Sequence, residues 1–460
     1  MSDAIPHGCL WDAVENDRAR VTAPDAVDGS SDVIVVGAGF TGLWTALYLV
    51  EADPRLRVRV VERHHIGFGA SGRNGGWSSA LLPMSVGTLV ARHGVGVARA
   101  SVASMNSAVA EIRSRAVDLG VGEYVAPGGW LQLAHGDVQL ERLREQHRLA
   151  ETYDVPEALG TLLDRDAAYE MVGSEQSRGG LFTPHCSAVD PGRLVRALGA
   201  EVRRRGVEIL EGVEVVLIEP GRVVTDRGTL TAPVVLRATE AFTSTLRGMR
   251  RRVVPLYSMM VATEPLPTEV VDRLIAPSRP TFNDTRHMII YGQRTRDDRI
   301  AFGGRGAPYH LGSRIHDTFD HDQRVAAMLV ETLREMFPAL RAHRFTHHWG
   351  GPLAAPRDWH CSVTFDRTTG LGAAGGYVGD GVTTANLAGR TLCDLVLGLD
   401  TERTRLPWVG HRSRSWEPEP LRWLAINSLT RLASLADSRE SRTGRRARTL
   451  ELLLARVLGS

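Results

Sequence analysis

Three glycines and one carboxylate carry the first readable chemistry. Gly37, Gly39 and Gly42 stand in Gly37-Ala38-Gly39-Phe40-Thr41-Gly42, after the apolar run Val33–Val36 and before an apolar stretch of helical character over about 41–50. A glycine turn between a strand and a helix N-terminus lets backbone amides approach a pyrophosphate. Gly37 permits the tight turn, Gly39 the close approach and Gly42 the helix–strand packing, with Phe40 and Thr41 opening the helix. Glu62 ends the alternating run 57–62, 20 residues beyond Gly42, and Arg63 follows it. A carboxylate there accepts hydrogen bonds from ribose hydroxyls and repels a 2′-phosphate. The constellation predicts a bound dinucleotide and disfavours NADP.

A second glycine-rich loop follows directly: Gly67-Phe68-Gly69-Ala70-Ser71-Gly72-Arg73-Asn74-Gly75-Gly76. NAD has no need of such a loop immediately after the ribose-binding acid. FAD is longer and needs more backbone approach toward its flavin end, so the two loops together point to FAD. Far along the chain, Gly379-Asp380-Gly381 precedes an apolar helix starting near Val382 and Thr383. The free amides and dipole of such an N-terminus suit the flavin edge where negative charge accumulates on reduction. Asp380 fits either that edge or a helix cap.

The run G-A-S-G-R-N-G-G after an acidic strand end resembles the D-amino-acid-oxidase-type (DAO) FAD oxidoreductases, and within them the γ-glutamylputrescine oxidoreductase-like branch. Further motifs match in the family's order: Leu236-Arg237-Ala238-Thr239-Glu240-Ala241-Phe242, Ala262-Thr263-Glu264-Pro265-Leu266, Phe302-Gly303-Gly304-Arg305, Trp349-Gly350-Gly351 and Gly376-Tyr377-Val378-Gly379-Asp380-Gly381-Val382. The resemblance spans about residues 30–400. It implies that Ala70, Ser71, Arg73, Asn74 and Gly75 line the pyrophosphate and flavin. It places Val215 near adenine, and Ala238 and Thr239 along the ribityl–pyrophosphate region. Relatives usually carry glycine where this chain has Glu240, and often histidine where it has Asp380.

The same resemblance implies oxidation of a C–N bond, with a hydride equivalent passing to flavin N5 and an imine left for water to hydrolyse. Such chemistry needs a neutral amine and a fixed C–H geometry rather than an acid–base triad. The expected pocket is therefore aromatic and sparsely polar, with walls from Tyr257, Tyr291, Arg305, Trp349 and Tyr377. Tyr257 and Trp349 fit packing equally well. Amino-acid oxidases of the family often place a carboxylate-binding arginine just after the W-x-G turn, where this chain has Pro352-Leu353. An amine substrate is therefore expected ahead of a D-amino acid or N-methyl amino acid. Residues that tether flavin in relatives are missing here, so FAD is expected to be non-covalent. Several oxidases of the family use a lysine over the flavin to hand electrons to O₂. This chain has no lysine, all 55 of its basic residues being arginine. The acceptor is left open between O₂ and another carrier, and a structural or electron-transfer role for the bound FAD stays as a rival reading.

The positioning elements follow from apolar spacing. Helices are predicted over 96–119, 137–152, 164–172, 191–205, 320–337 and 382–398, and strands over 207–210, 213–218, 222–225, 234–236, 256–263, 287–291, 299–302 and 370–374. A hairpin is expected over 124–134, around Gly128-Gly129. This order predicts an α/β protein. A Rossmann-type FAD-binding domain (30–95, 186–250, 355–400) interleaves with a β-sheet-rich α+β substrate domain (96–185, 251–354), and a helical extension (401–460) follows. A net charge of +2 gives no electrostatic case for nucleic acid. The four cysteines form no C-x-x-C, and no signal peptide or 18-residue apolar run is present, so a cytoplasmic protein with reduced thiols is expected. His343, His347 and His348 lack an acidic cluster nearby, and no metal is expected. The extension carries twelve arginines against six acids and two amphipathic helices, the second marked by Leu450, Leu453, Leu454 and Val457. Packing on the protein itself or a sister subunit is the expected role, with peripheral membrane contact the alternative.

Overall fold

The computed structural model describes residues 5–12, 23–82 and 84–451, without the side chain of Arg305. The first strand, Val33–Val36, is apolar at every position because both of its faces are covered. Val33 and Val35 point to one core, and Ile34 and Val36 to another. This strand is central in a six-stranded sheet ordered Ser362–Asp366, Leu371–Gly375, Val234–Arg237, Val33–Val36, Val58–Val61, Glu208–Leu210. All neighbours run parallel except the outermost pair at 362–375.

Helices Phe40–Ala52, Pro191–Arg204 and Gly381–Leu397 cover one face of this sheet. On the other face lies an antiparallel meander of Val215–Glu219, Arg222–Thr225 and Gly228–Thr231. Helix Val95–Asp118 also sends Met105, Ala108, Ile112 and Ala116 into the helix-side core. The sequence had placed that helix in the substrate domain. Its apolar spacing announces a buried face but not which sheet that face meets.

A second, eight-stranded sheet is ordered Phe345–Ala355, Val254–Thr263, Ile300–Arg305, Ile290–Arg294, Thr281–Asp284, Trp130–Leu133, Gly180–Thr183, Thr161–Leu163. Helix Gln323–Met336 packs against it through Val325, Leu329, Leu333 and Met336, one apolar stripe at helical spacing.

Two expectations change. There is no hairpin over 124–134: Val125–Ala126 pairs with Cys186–Val189, while Trp130–Leu133 joins the eight-stranded sheet. Gly128 and Gly129 carry the chain between sheets, and a Cβ on Gly128 would meet the Ser278 carbonyl oxygen at 2.2 Å. The strand expected over 287–291 is Ile290–Arg294. In the C-terminal region the helix Leu421–Thr443 is followed by helical residues 448–451, which include Leu450; Leu453, Leu454 and Val457 lie outside the described residues. Among the described residues no helix is long and apolar enough to cross a membrane.

Candidate active site

The glycine turn lines a cavity. Gly37, Gly39, Phe40 and Thr41 line it together with Glu62, Arg63 and Val215. Gly37 has φ 108°, and a Cβ on it would meet the Ala238 carbonyl oxygen at 2.5 Å. Gly42 does not line the cavity. A Cβ there would meet the Gly37 carbonyl oxygen at 1.9 Å, so this glycine lets the helix seat on the turn.

Glu62 ties the turn to the second strand. Its Oε2 accepts from the Ala38 amide at 2.8 Å and its Oε1 from the His64 amide at 2.9 Å. Burial pushes its carboxyl above the usual range, and the amides oppose that shift. The second glycine loop is joined to the first through Ser71, whose Oγ accepts from the Phe40 amide at 2.8 Å. Ala70, Ser71 and Asn74 line the same cavity, as do Ala238 and Thr239. A groove at a helix N-terminus with a carboxylate at the neighbouring strand end fits the pyrophosphate and ribose of FAD.

Glu240, where relatives usually have glycine, is held at φ 43°. Its carboxylate accepts from the Gly376 and Tyr377 amides, each at 3.2 Å. Burial pushes its carboxyl up to about 7, against the two amides and the Arg237 guanidinium. The side chain thus joins the 238–240 segment to the turn before the last helix. Tyr377 lines this cofactor cavity rather than the substrate side, with its hydroxyl 2.9 Å from Thr41 Oγ1.

A second cavity meets the first across Ala70, Asn74, Leu353, Gly379 and Val382. The flavin ring belongs at that junction if the cofactor lies along the first cavity. Gly381 opens helix Gly381–Leu397 on the cofactor side, and Asp380 faces the second cavity. Asp380 occupies the N-cap position, but its side chain makes no capping hydrogen bond. Thr383 lines neither cavity; it is buried, with Oγ1 3.1 Å from Ser78 Oγ.

Aromatic and apolar side chains wall the second cavity: Trp77, Trp130, Tyr291, Met260 and Ile289. Polar side chains stand among them. Asn283 Oδ1 accepts from Trp130 Nε1 at 3.0 Å, and Ser258 Oγ lies 2.8 Å from the Tyr291 hydroxyl. Gln132 Oε1 is buried without a hydrogen-bond partner among the described residues. Gly75 and Arg73 also line this side rather than the cofactor cavity. Arg73 is ion-paired with Asp320 and lies over the Phe68 ring, 4.3 Å from its centroid.

Of the five expected pocket walls, only Tyr291 lines the second cavity among the described side chains. The Arg305 side chain lies outside the description. Tyr257 sits in a strand whose Ser258 and Met260 face the cavity; neighbouring residues alternate, so Tyr257 points away and packs edge-on to His310 and Phe319. Trp349 lies beneath the second glycine loop, donating its indole N–H to the Arg73 carbonyl at 2.9 Å. Sequence reasoning missed Trp77, Trp130, Gln132, Ser258 and Asp320. Trp77 alone carried a usable signal, standing directly after the glycine loop.

His343, His347 and His348 form no metal cluster. Among the described residues His287, Glu440 and Glu451 converge, but the Arg142 guanidinium donates to both carboxylates and occupies their centre. No cysteine is among the described lining residues of either large cavity.

A family model described as FAD dependent oxidoreductase (DAO) matches residues 32–395. The γ-glutamylputrescine oxidoreductase of Escherichia coli K12 is 31% identical over 384 residues, covering 81% of this chain and 84% of its own. A probable oxidoreductase, OrdL, of Rhizobium meliloti is 30% identical over 401 residues, with the same coverage of each. The crystal structure of glycine oxidase from Geobacillus kaustophilus superposes with a TM-score of 0.70 at 20% identity, covering 84% of this chain and 100% of that one.

Proposed function

We propose that this chain, which belongs to the DAO family of FAD-dependent oxidoreductases, oxidises the C–N bond of a small primary or secondary amine that carries no α-carboxylate. The family acts on amines or amino acids, and the choice between them rests on one observation. Arg73, the cation described in the second cavity, is already paired with Asp320. A guanidinium so engaged is not presented to a substrate carboxylate. Arg357, the first arginine after the W-x-G turn, pairs with Glu417 outside both cavities.

FAD supplies the hydride-accepting ring. The protein's part is binding, orientation and exclusion of water. The helix N-terminus at Gly39 to Thr41 and the carboxylate of Glu62 hold the dinucleotide. Trp77, Trp130 and Tyr291 shape an apolar slot against the junction of the cavities, fixing the carbon beside the nitrogen. An apolar wall favours the neutral amine, the form that gives up hydride. The acceptors Gln132 and Asn283 offer hydrogen bonds to the amine N–H groups.

The test is an anaerobic screen of flavin bleaching against primary amines, secondary amines, N-methyl amino acids and D-amino acids, each hit then exposed to air. Bleaching by amines without an α-carboxylate is expected. Bleaching only by carboxylate-bearing α-amino acids would overturn the reading. Recovery of colour in air reports whether O₂ serves as acceptor.

A further inference from the structure

The C-terminal helix Leu421–Thr443 packs through one side only. Arg422, Ile426, Ala433, Ala436 and Glu440 are buried, and its two acids are used inward. Glu440 accepts from Arg142, and Asp437 accepts from the His287 and Met288 amides, each at 2.8 Å. Arg422 pairs with Glu419. The charged residues left on the outer side are Arg431, Arg439 and Arg442, all exposed.

That outer side also carries large apolar groups. Leu424 is 51% exposed, Leu435 58% and Leu421 59%. Leu424, Arg431, Leu435 and Arg442 are spaced by seven, four and seven residues, which lines them along one edge of the helix. Trp423, partly exposed, flanks this edge. The apolar surface continues beyond the helix. Glu419 accepts from the amides of both Gly312 and Trp423, which brings exposed Leu311 beside the helix start. Exposed Arg250 donates to the Gly312 carbonyl, so a further cation rims the same cluster.

We propose that this face docks on an anionic phospholipid surface. The leucines and Trp423 enter the headgroup–acyl boundary, and the surrounding guanidiniums meet lipid phosphates. The arrangement is one-signed: a face meant for another copy of this chain would bring Arg431, Arg439 and Arg442 against like charges, whereas an anionic bilayer satisfies both the cations and the apolar groups.

The FAD-loaded full chain is spun down with vesicles of phosphatidylcholine alone and of phosphatidylcholine with phosphatidylglycerol. Binding is expected only to the anionic vesicles, and it should weaken as salt rises through physiological strength. Arg431→Gln, Arg439→Gln and Arg442→Gln together should weaken it about a hundredfold, and Leu424→Ser with Leu435→Ser about tenfold or more. An unchanged flavin spectrum and amine-driven bleaching identify the variants as folded. Three results overturn the proposal: no binding to anionic vesicles, equal binding to neutral ones, or a dimer in light scattering that the leucine variant dissociates.

Discussion

Trp349 donates its indole N–H to the Arg73 carbonyl at 2.9 Å, while Trp11 donates to the next carbonyl, that of Asn74, at 2.8 Å. The two rings meet edge to face with centroids 6.1 Å apart. Consecutive carbonyls of the second glycine loop are thus pinned from below by two side chains far apart in sequence. Within the loop the short helix Ala70–Arg73 is capped by Asn74, whose side chain also donates to the Ala70 and Ser71 carbonyls. A residue expected as a pocket wall is therefore a support for the second glycine loop.

Replacing that donor should affect the cofactor before the substrate. Trp349→Phe keeps an aromatic ring but leaves the part-buried Arg73 carbonyl without its indole donor, at about 1 kcal/mol. We expect a lower melting temperature and weaker FAD rebinding to the apoprotein, with KM for the amine changed less than FAD affinity. Thermal unfolding and a fluorescence titration with FAD check this. A large change in KM with unchanged FAD affinity would return Trp349 to the substrate wall.

The contrast between Trp349 and Gly37 shows what was legible. The glycine turn, Glu62 and the second loop are local: a few neighbouring residues fix the backbone, and the ligand follows from that backbone. The parallel strand pairing also follows, because runs buried on both faces have few other solutions. The second cavity is different. Its walls come from six strands and the loops between them, and four of those strands contribute alternate residues. Choosing Tyr257 over Ser258 therefore inverted that wall with a one-residue error. Trp130 was hidden for another reason, since the hairpin reading kept its strand beside the wrong neighbour. The Arg73–Asp320 pair joins positions 247 apart, and no local spacing announces it.

Glu240 makes stability depend on pH with a definite sign. Its folded carboxyl titrates at about 7, above the 4.5 of the free group. A carboxyl raised by folding favours the folded state while protonated. That contribution is complete below about 4.5 and is lost as pH rises through about 7. The span corresponds to about 3 kcal/mol. Glu240→Gln cannot ionise, so wild-type minus variant stability should fall between those limits and level off above them. Denaturant unfolding at a series of pH values measures it, and a flat difference would show that Glu240 does not titrate in this range. The comparison within a pair of proteins cancels Glu62 and Asp190, whose carboxyls burial also raises.

Asp320 should act as a specificity switch through Arg73. The pair is well shielded, with side chains 17% and 12% exposed, and burial raises the Asp320 carboxyl while Arg73 draws it back down. Asp320→Asn leaves the Arg73 guanidinium lining the substrate cavity without its carboxylate. Removing one partner of such a pair costs about 3 kcal/mol of stability, so the melting temperature should drop. A carboxylate-bearing amine can then restore the lost partner, through a charge-assisted hydrogen bond. We expect KM for α-amino acids to fall about tenfold relative to simple amines. Initial rates with matched pairs of substrates, differing only in the carboxylate, test the shift. An unchanged ratio in a variant with an intact flavin spectrum would show that Arg73 does not reach the substrate, and would remove the observation on which the preference for amines rests.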